Sequence, residues 1–156
     1  MKIKKLLAKI ALHALLGMTS SYAMAQETKT TISARDFFSS YLETVNPEEA
    51  TISIPFALIN PPHKDYFNRI EMRESNMRTA TNPTGAETSQ QIPYQKIRAL
   101  QERIILKQPE PHRETWKIII VSPQECLDKC EKFHTDILRS VPKGSEIDLT
   151  RIYLSN

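Results

Sequence analysis

An apolar, β-branched run near the C-terminus constrains the fold most strongly. Residues 116–121 read Trp-Lys-Ile-Ile-Ile-Val, which is typical of a strand buried on both faces. Helical periodicity follows at 124–141, and Pro-Lys-Gly at 142–144 ends that helix. A second strand is predicted at 147–154. Strand, helix and strand joined by short turns predict a βαβ unit with parallel strands.

The longer region before this run, residues 26–110, has weaker patterns. Polar residues 26–32 predict a frayed start, and residues 51–59 predict a strand that Pro55 restricts to a sheet edge. Three helices and a linker are also predicted: helices at 33–45 with Ser33 as N-cap, at 63–77 and at 94–107, and a flexible linker at about 79–93. We therefore expect an α/β protein in which a mostly helical, irregular region precedes a βαβ segment at 115–156.

Residues 1–25 have the pattern of a cleavable secretory signal peptide. A lysine-rich start and an apolar run lead to Ala-Met-Ala, which predicts cleavage before Gln26. The alternative is a membrane anchor, but a spanning helix needs about 20 apolar residues. This run is shorter, and Lys9 and His13 interrupt it. The expected location is periplasmic or secreted, with no stable membrane span after cleavage.

The charge of the chain argues against a nucleic-acid partner. The sequence has 21 Lys and Arg against 18 Asp and Glu, but four of the lysines belong to the leader. Without them the chain is close to neutral, so no basic surface is indicated. Only Gly85 and Gly144 remain as glycines, which excludes Gly-rich phosphate-binding loops.

Cys126 and Cys130, the only cysteines, are the main candidates for chemistry. Four residues apart, they share the apolar face of the predicted helix with Phe133 and Ile137. They lie at its N-terminus, where the helix dipole lowers the pKa of a thiol. Their expected Cα separation of about 6 Å suits a disulfide. In an exported protein the pair is a structural disulfide, a redox couple or a soft-metal site.

Two segments around these cysteines carry a family resemblance. They read WKIIIVSPQECLDKCEKF at 116–133 and DLTRIYL at 148–154. They resemble Sco/SenC-type proteins, which are thioredoxin-fold copper-delivery proteins of cytochrome c oxidase assembly. The resemblance covers about residues 115–156 and implies a truncated or divergent relative with a partial thioredoxin-like fold.

The resemblance implies that Cys126 and Cys130 hold copper or cycle between dithiol and disulfide. His134 falls on the same side of the helix and is a candidate third metal ligand, or else a histidine at the edge of the core. We expect a function in copper handling or thiol–disulfide exchange in the cell envelope, with a copper-receiving envelope or oxidase protein as partner. The alternative is a non-catalytic envelope protein with a structural disulfide, which acts by protein–protein interaction. Whether the chain is an enzyme stays open.

Overall fold

The computed structural model describes residues 22–48, 52–72, 90–104, 114–125 and 128–156. These residues form six strands and three helices in one mixed sheet with the strand order β1-β6-β5-β2-β3-β4. The elements are β1 (Tyr22–Ser33), α1 (Ala34–Thr44), β2 (Phe56–Asn60), β3 (Tyr66–Glu71), β4 (Gln90–Pro93), α2 (Tyr94–Ile104), β5 (Trp116–Pro123), α3 (Asp128–Arg139) and β6 (Ser145–Ser155).

The sheet has a parallel half and an antiparallel half that meet at β5. β5 pairs in parallel with β6, from Trp116 opposite Ile147 to Pro123 opposite Leu154, and α3 connects the two strands. The first strand, β1, is parallel to β6 on its other side. β2, β3 and β4 continue the sheet from β5 as antiparallel neighbours. The strand–helix–strand order predicted from residue 116 onward is present.

The predicted fold class is wrong for the region before residue 110. That region is not mostly helical, because it supplies four of the six strands. Residues 26–32, expected to be frayed, belong to β1, whose threonines and Ile32 suit a pleated edge strand. The weak helical pattern at 63–77 contains β3 instead, because pairing with β2 and β4 outweighs a weak local preference. The expected thioredoxin-like fragment is therefore replaced by a six-stranded mixed sheet.

The edge position predicted for the strand near Pro55 is also wrong. β2 lies between β3 and β5, and all five of its residues are buried. Pro55 precedes the first residue of β2, so its missing N–H removes no hydrogen bond from the interior of the strand. Its carbonyl accepts a hydrogen bond from the backbone N–H of Met72 at 3.2 Å. The proline thus marks the start of a central strand.

Helices cover both faces of the sheet and define two cores. The α1/α2-side core includes helix residues Phe37, Tyr41, Ile97 and Leu100 and strand residues Phe56, Leu58, Ile119, Val121, Ile152 and Leu154. The α3-side core includes Phe133, Ile137, Leu138 and Val141 with Ala57, Ile59, Trp116, Ile118, Ile120, Ile147 and Leu149. Alternating residues of the central strands serve opposite cores, as the pleat requires. The result is a helix–sheet–helix sandwich.

Two predicted helices of the N-terminal region are present. Ser33 is the N-cap of α1, where its Oγ accepts a hydrogen bond from the backbone N–H of Asp36 at 3.1 Å. α2 occupies Tyr94–Ile104 of the predicted helix at 94–107. Of the predicted linker, residues 90–93 form β4, and residues 79–89 lie outside the described residues.

The predicted leader lies mostly outside the described residues. Its last four residues begin β1, and the β1–β6 register shifts between Met24 and Gln26, at the predicted cleavage position. Among the helices that the structure describes, none is long and apolar enough to cross a membrane.

Candidate functional site

The candidate site lies where the parallel strands β5 and β6 end and α3 begins. Because both strands run in the same direction, their carboxyl ends meet at one edge of the sheet. In open α/β sheets, ligands and reactive groups are commonly found at this edge. Four elements supply the side chains: the end of β5, the second half of β6, the edge strand β1 and the first half of α3.

Cys130 is in the first turn of α3, and 8% of its surface is exposed. It is disulfide-bonded. Cys126 is the only other cysteine of the chain, and its position lies outside the described residues. The free N–H groups and positive end of the helix dipole favour a negative charge on sulfur at this end of α3. Exposed Asp128 and Glu131 in the same turn oppose this effect in part.

His134 lies one helical turn after Cys130, on the side of α3 that faces the sheet. Only 2% of its surface is exposed, and its Nδ1 is 2.9 Å from Nη1 of Arg151. A guanidinium group has donors only, so Nδ1 must accept this hydrogen bond. The neutral ring therefore carries its hydrogen on Nε2. That Nε2 atom is buried and has no hydrogen-bond partner among the described residues.

The Arg151 side chain joins α3 to the edge strand. Its Nε donates to Oε1 of Glu27 at 3.0 Å, while its Nη1 donates to His134. The side chain is 17% exposed, so both contacts lie close to the surface of the protein. The chain of contacts Glu27–Arg151–His134 thus crosses β1, β6 and α3.

The charge state of His134 follows from these surroundings. Burial lowers the pKa of His134 below its usual value, and the positive charge of Arg151 lowers it further. The carboxylate of Glu131, one turn earlier on the helix, acts in the opposite direction and is the smallest of the three effects. The ring is therefore neutral at neutral pH, in agreement with the hydrogen-bond geometry.

Ser122 is a second buried polar residue at this edge. It is 1% exposed, and its Oγ has no hydrogen-bond partner within the described ranges. Alternation along β5 puts it on the same face as Ile118 and Ile120, the face that α3 covers. Its neighbour on β6 is Tyr153.

The strand register places Ser122 at about the same position along the α3 axis as Cys130. Ile120 is opposite Arg151, which contacts His134, and Ser122 lies two residues, about 7 Å, further toward the end of β5. α3 runs back from the end of β5 toward the start of β6. One turn toward its start, about 6 Å along the helix axis, leads from His134 to Cys130. Along the axis of α3, Ser122 is therefore level with Cys130, and His134 is one turn further from the carboxyl ends of the strands.

These contacts do not suit His134 as a third copper ligand. A ligating nitrogen needs a free lone pair, but Arg151 occupies that of Nδ1, and Nε2 carries the hydrogen. Among the described residues, no group of three or more His, Cys, Asp or Glu side chains is placed to hold a metal. The thiolates of Cys126 and Cys130 are the remaining candidate copper ligands, and they become available only when the disulfide is reduced.

Sequence reasoning found Cys130 and His134 but missed three residues of this site. Glu27 was missed because residues 26–32 were not expected to form a strand. Arg151 and Ser122 were missed because a helical wheel of α3 says nothing about the strands beneath it. The available signal was the alternation of β5 and β6, which puts both residues on the face shared with Ile120 and Leu149.

Comparisons of the chain with protein-family models, with curated protein sequences and with solved structures find no match.

Proposed function

We propose that the protein exchanges thiols and disulfides in the cell envelope, with Cys126 and Cys130 as the redox pair. The observation that carries this proposal is the position of the Cys130 disulfide, at the start of a helix and near two buried polar side chains that have no partner among the described residues. A disulfide that only braces a fold needs no such surroundings. The export predicted from residues 1–25 supplies an oxidising compartment in which such a pair would work.

The proposed reaction transfers two electrons from a protein dithiol to this disulfide. A thiolate of the dithiol attacks the sulfur of Cys126, the bond between the two cysteines breaks, and Cys130 leaves as a thiolate. The second thiolate of the partner then attacks the mixed disulfide and releases Cys126. The partner ends as a disulfide and this chain as a dithiol, and the two protons of the partner pass to the released thiolates or to water.

The near-complete burial of Cys130 supports this assignment of roles. An attacking thiolate needs an accessible sulfur, which Cys130 at 8% exposure does not offer. A leaving thiolate instead needs a site that stabilises its charge, as the N-terminus of α3 does. Cys126 is therefore proposed as the cysteine that is attacked, and Cys130 as the leaving group.

Copper handling is the related proposal for the reduced pair. Two thiolates are good ligands for Cu(I), and the proposed partner is a copper-receiving envelope or oxidase protein, in the maturation of cytochrome c oxidase. Support for this part comes from the resemblance of residues 115–156 alone. Anaerobic addition of Cu(I) to the reduced protein tests it, and uptake equal to that of Cys126→Ser and Cys130→Ser proteins would rule it out.

Exchange itself is tested by incubating the purified protein with a reduced dithiol protein and trapping free thiols by alkylation. We expect the disulfide to be reduced within minutes under native conditions. In a second reaction, the Cys130→Ser variant is incubated with oxidised glutathione, whose disulfide the Cys126 thiolate attacks; a mixed disulfide should accumulate on Cys126 and one glutathione thiolate should be released. The Cys126→Ser variant is the matched control and should form little mixed disulfide. A disulfide that reacts only after the protein is unfolded would show that it is structural.

A further inference from the structure

Two buried side chains near Cys130 have hydrogen-bond donors for which the described residues supply no acceptor. Ser122 and His134 are almost completely buried, and neither Oγ nor Nε2 has a partner in the part of the chain that the structure describes. An unpaired buried donor destabilises the state that contains it, so native proteins rarely keep one without a reason. Both donors lie on the side of the sheet that α3 covers, so one acceptor at the start of α3 can account for both.

Strand register and helix spacing put both side chains in the neighbourhood of Cys130. Ser122 lies on the face of β5 that α3 covers, at about the height of Cys130. His134 follows Cys130 by four residues on α3, a spacing at which helix side chains are neighbours. One donor therefore lies on the strand side of Cys130 and the other on its own helix.

Arg151 ensures that His134 presents a donor and not a lone pair. Its Nη1 donates to Nδ1, which leaves the hydrogen on Nε2, and its Nε is held by Glu27. The hydroxyl of Ser122 rotates freely and directs its hydrogen toward whichever acceptor is present. Arg151 is in this sense a positioning residue, because it acts on the sulfur only through His134.

We propose that Ser122 and His134 donate hydrogen bonds to the sulfur of Cys130 when the disulfide is reduced, and thereby make the oxidised protein a stronger oxidant. A disulfide sulfur is a poor acceptor and leaves both donors unpaired, whereas a thiolate accepts both of them. Reduction thus gives both buried donors an acceptor and forms two charge-assisted hydrogen bonds. The same donors stabilise Cys130 as the leaving group. This inference rests on the proposed function, since it concerns the same cysteines.

The test is the equilibrium of the full-length protein with glutathione or dithiothreitol, in wild type and in variants that remove one donor each. Ser122→Ala and His134→Phe should each shift the equilibrium about tenfold toward the disulfide, which is a potential about 30 mV more negative. His134→Gln keeps a side-chain donor and should lie closer to wild type than His134→Phe. Ser140→Ala is the matched control, because Ser140 Oγ bonds the carbonyl of Ile137 at the far end of α3.

A second measurement separates this role from a general effect on packing. Loss of a donor should destabilise the reduced protein more than the oxidised protein. The oxidised protein also loses stability in His134→Phe, because this variant removes the acceptor of Arg151 Nη1 in both redox states. Equilibrium constants with glutathione for Ser122→Ala and His134→Phe that lie within about threefold of the Ser140→Ala constant would overturn the inference. Equal losses of stability in both redox states would also overturn it. The potential of the wild type tests the proposed function, and the differences between variants test this inference, so the two can fail separately.

Discussion

Arg151 donates a hydrogen bond from Nη1 to Nδ1 of His134 across 2.9 Å, and this contact fixes which nitrogen of the buried ring carries a hydrogen. The contact connects β6 to α3 at the edge of the sheet where Cys130 lies. It leaves the neutral ring with a hydrogen-bond donor at Nε2. Several consequences can be measured without knowledge of a partner.

The stability of the protein should fall in mildly acidic solution because of His134. Its folded-state pKa is lowered by burial and by Arg151, so the unfolded chain binds a proton at a higher pH than the folded protein does. The stabilisation is complete above the usual histidine value of about 6.5 and is lost as the pH falls from there toward the lowered pKa. Urea unfolding between pH 8 and pH 5 should show this decline, and His134→Phe should reduce it.

The control for that measurement is His63→Asn. His63 is exposed in the turn between β2 and β3 at a φ of 62°, a conformation that asparagine also adopts. This variant should keep the pH profile of the wild type. Equal profiles for wild type and His134→Phe would contradict the account of His134.

Replacement of Arg151 by glutamine should raise the pKa of His134. The positive charge of Arg151 is the second contribution that lowers this pKa, after burial, and the substitution removes it while Glu131 remains. The pKa is measured by NMR titration of the ring protons. Arg139→Gln, at the exposed end of the same helix, is the matched control. A pKa that is unchanged, or that falls, in Arg151→Gln would show that Arg151 does not act on the ring.

The N-cap of α1 offers a prediction about stability alone. Ser33→Ala removes the acceptor for the backbone N–H of Asp36 and should cost about 1 kcal/mol of unfolding free energy. Ser39→Ala, on the exposed surface of the same helix, should cost little, because alanine favours the helix interior. Urea denaturation measures both values, and equal costs would be evidence against the cap.

Asn60 holds the turn between β2 and β3 together. This buried side chain donates through Nδ2 to the carbonyls of Lys64 at 2.8 Å and of Tyr66 at 2.7 Å. Asn60→Ala should cost about 2 kcal/mol, because two backbone acceptors lose their donor. Asn60→Asp should cost more, because a carboxylate would face two carbonyl oxygens. Chemical denaturation of both variants tests the order, and an aspartate variant as stable as wild type would contradict it.

The sequence predicts the C-terminal part of this fold better than the N-terminal part, for physical reasons. The run at 116–121 is so apolar that only a buried strand suits it, and the periodicity of α3 is unambiguous. β1 and β3 mix charged and β-branched residues, and their strand state depends on neighbours distant in the sequence. Pro55 misled the prediction because sequence alone does not show on which side of a proline a strand begins.

The residues of the candidate site also differ in how well the sequence predicts them. Cys130 and His134 could be placed on one helix face from their spacing alone. Glu27, Ser122 and Arg151 reach the site through strand register, which no local pattern reveals. The direction of the hydrogen bond on Nδ1, which argues against His134 as a metal ligand, could be established only from the contact with Arg151.

The reduction potential of the Cys130 disulfide in the folded protein tests the central claim most directly. It is measured by equilibration with glutathione redox buffers, alkylation of the free thiols and mass spectrometry. The proposed exchange function predicts a potential well above about −300 mV, in the range of exchanging disulfides. A potential below about −300 mV, with no reduction by a dithiol protein under native conditions, would contradict it and identify the disulfide as structural.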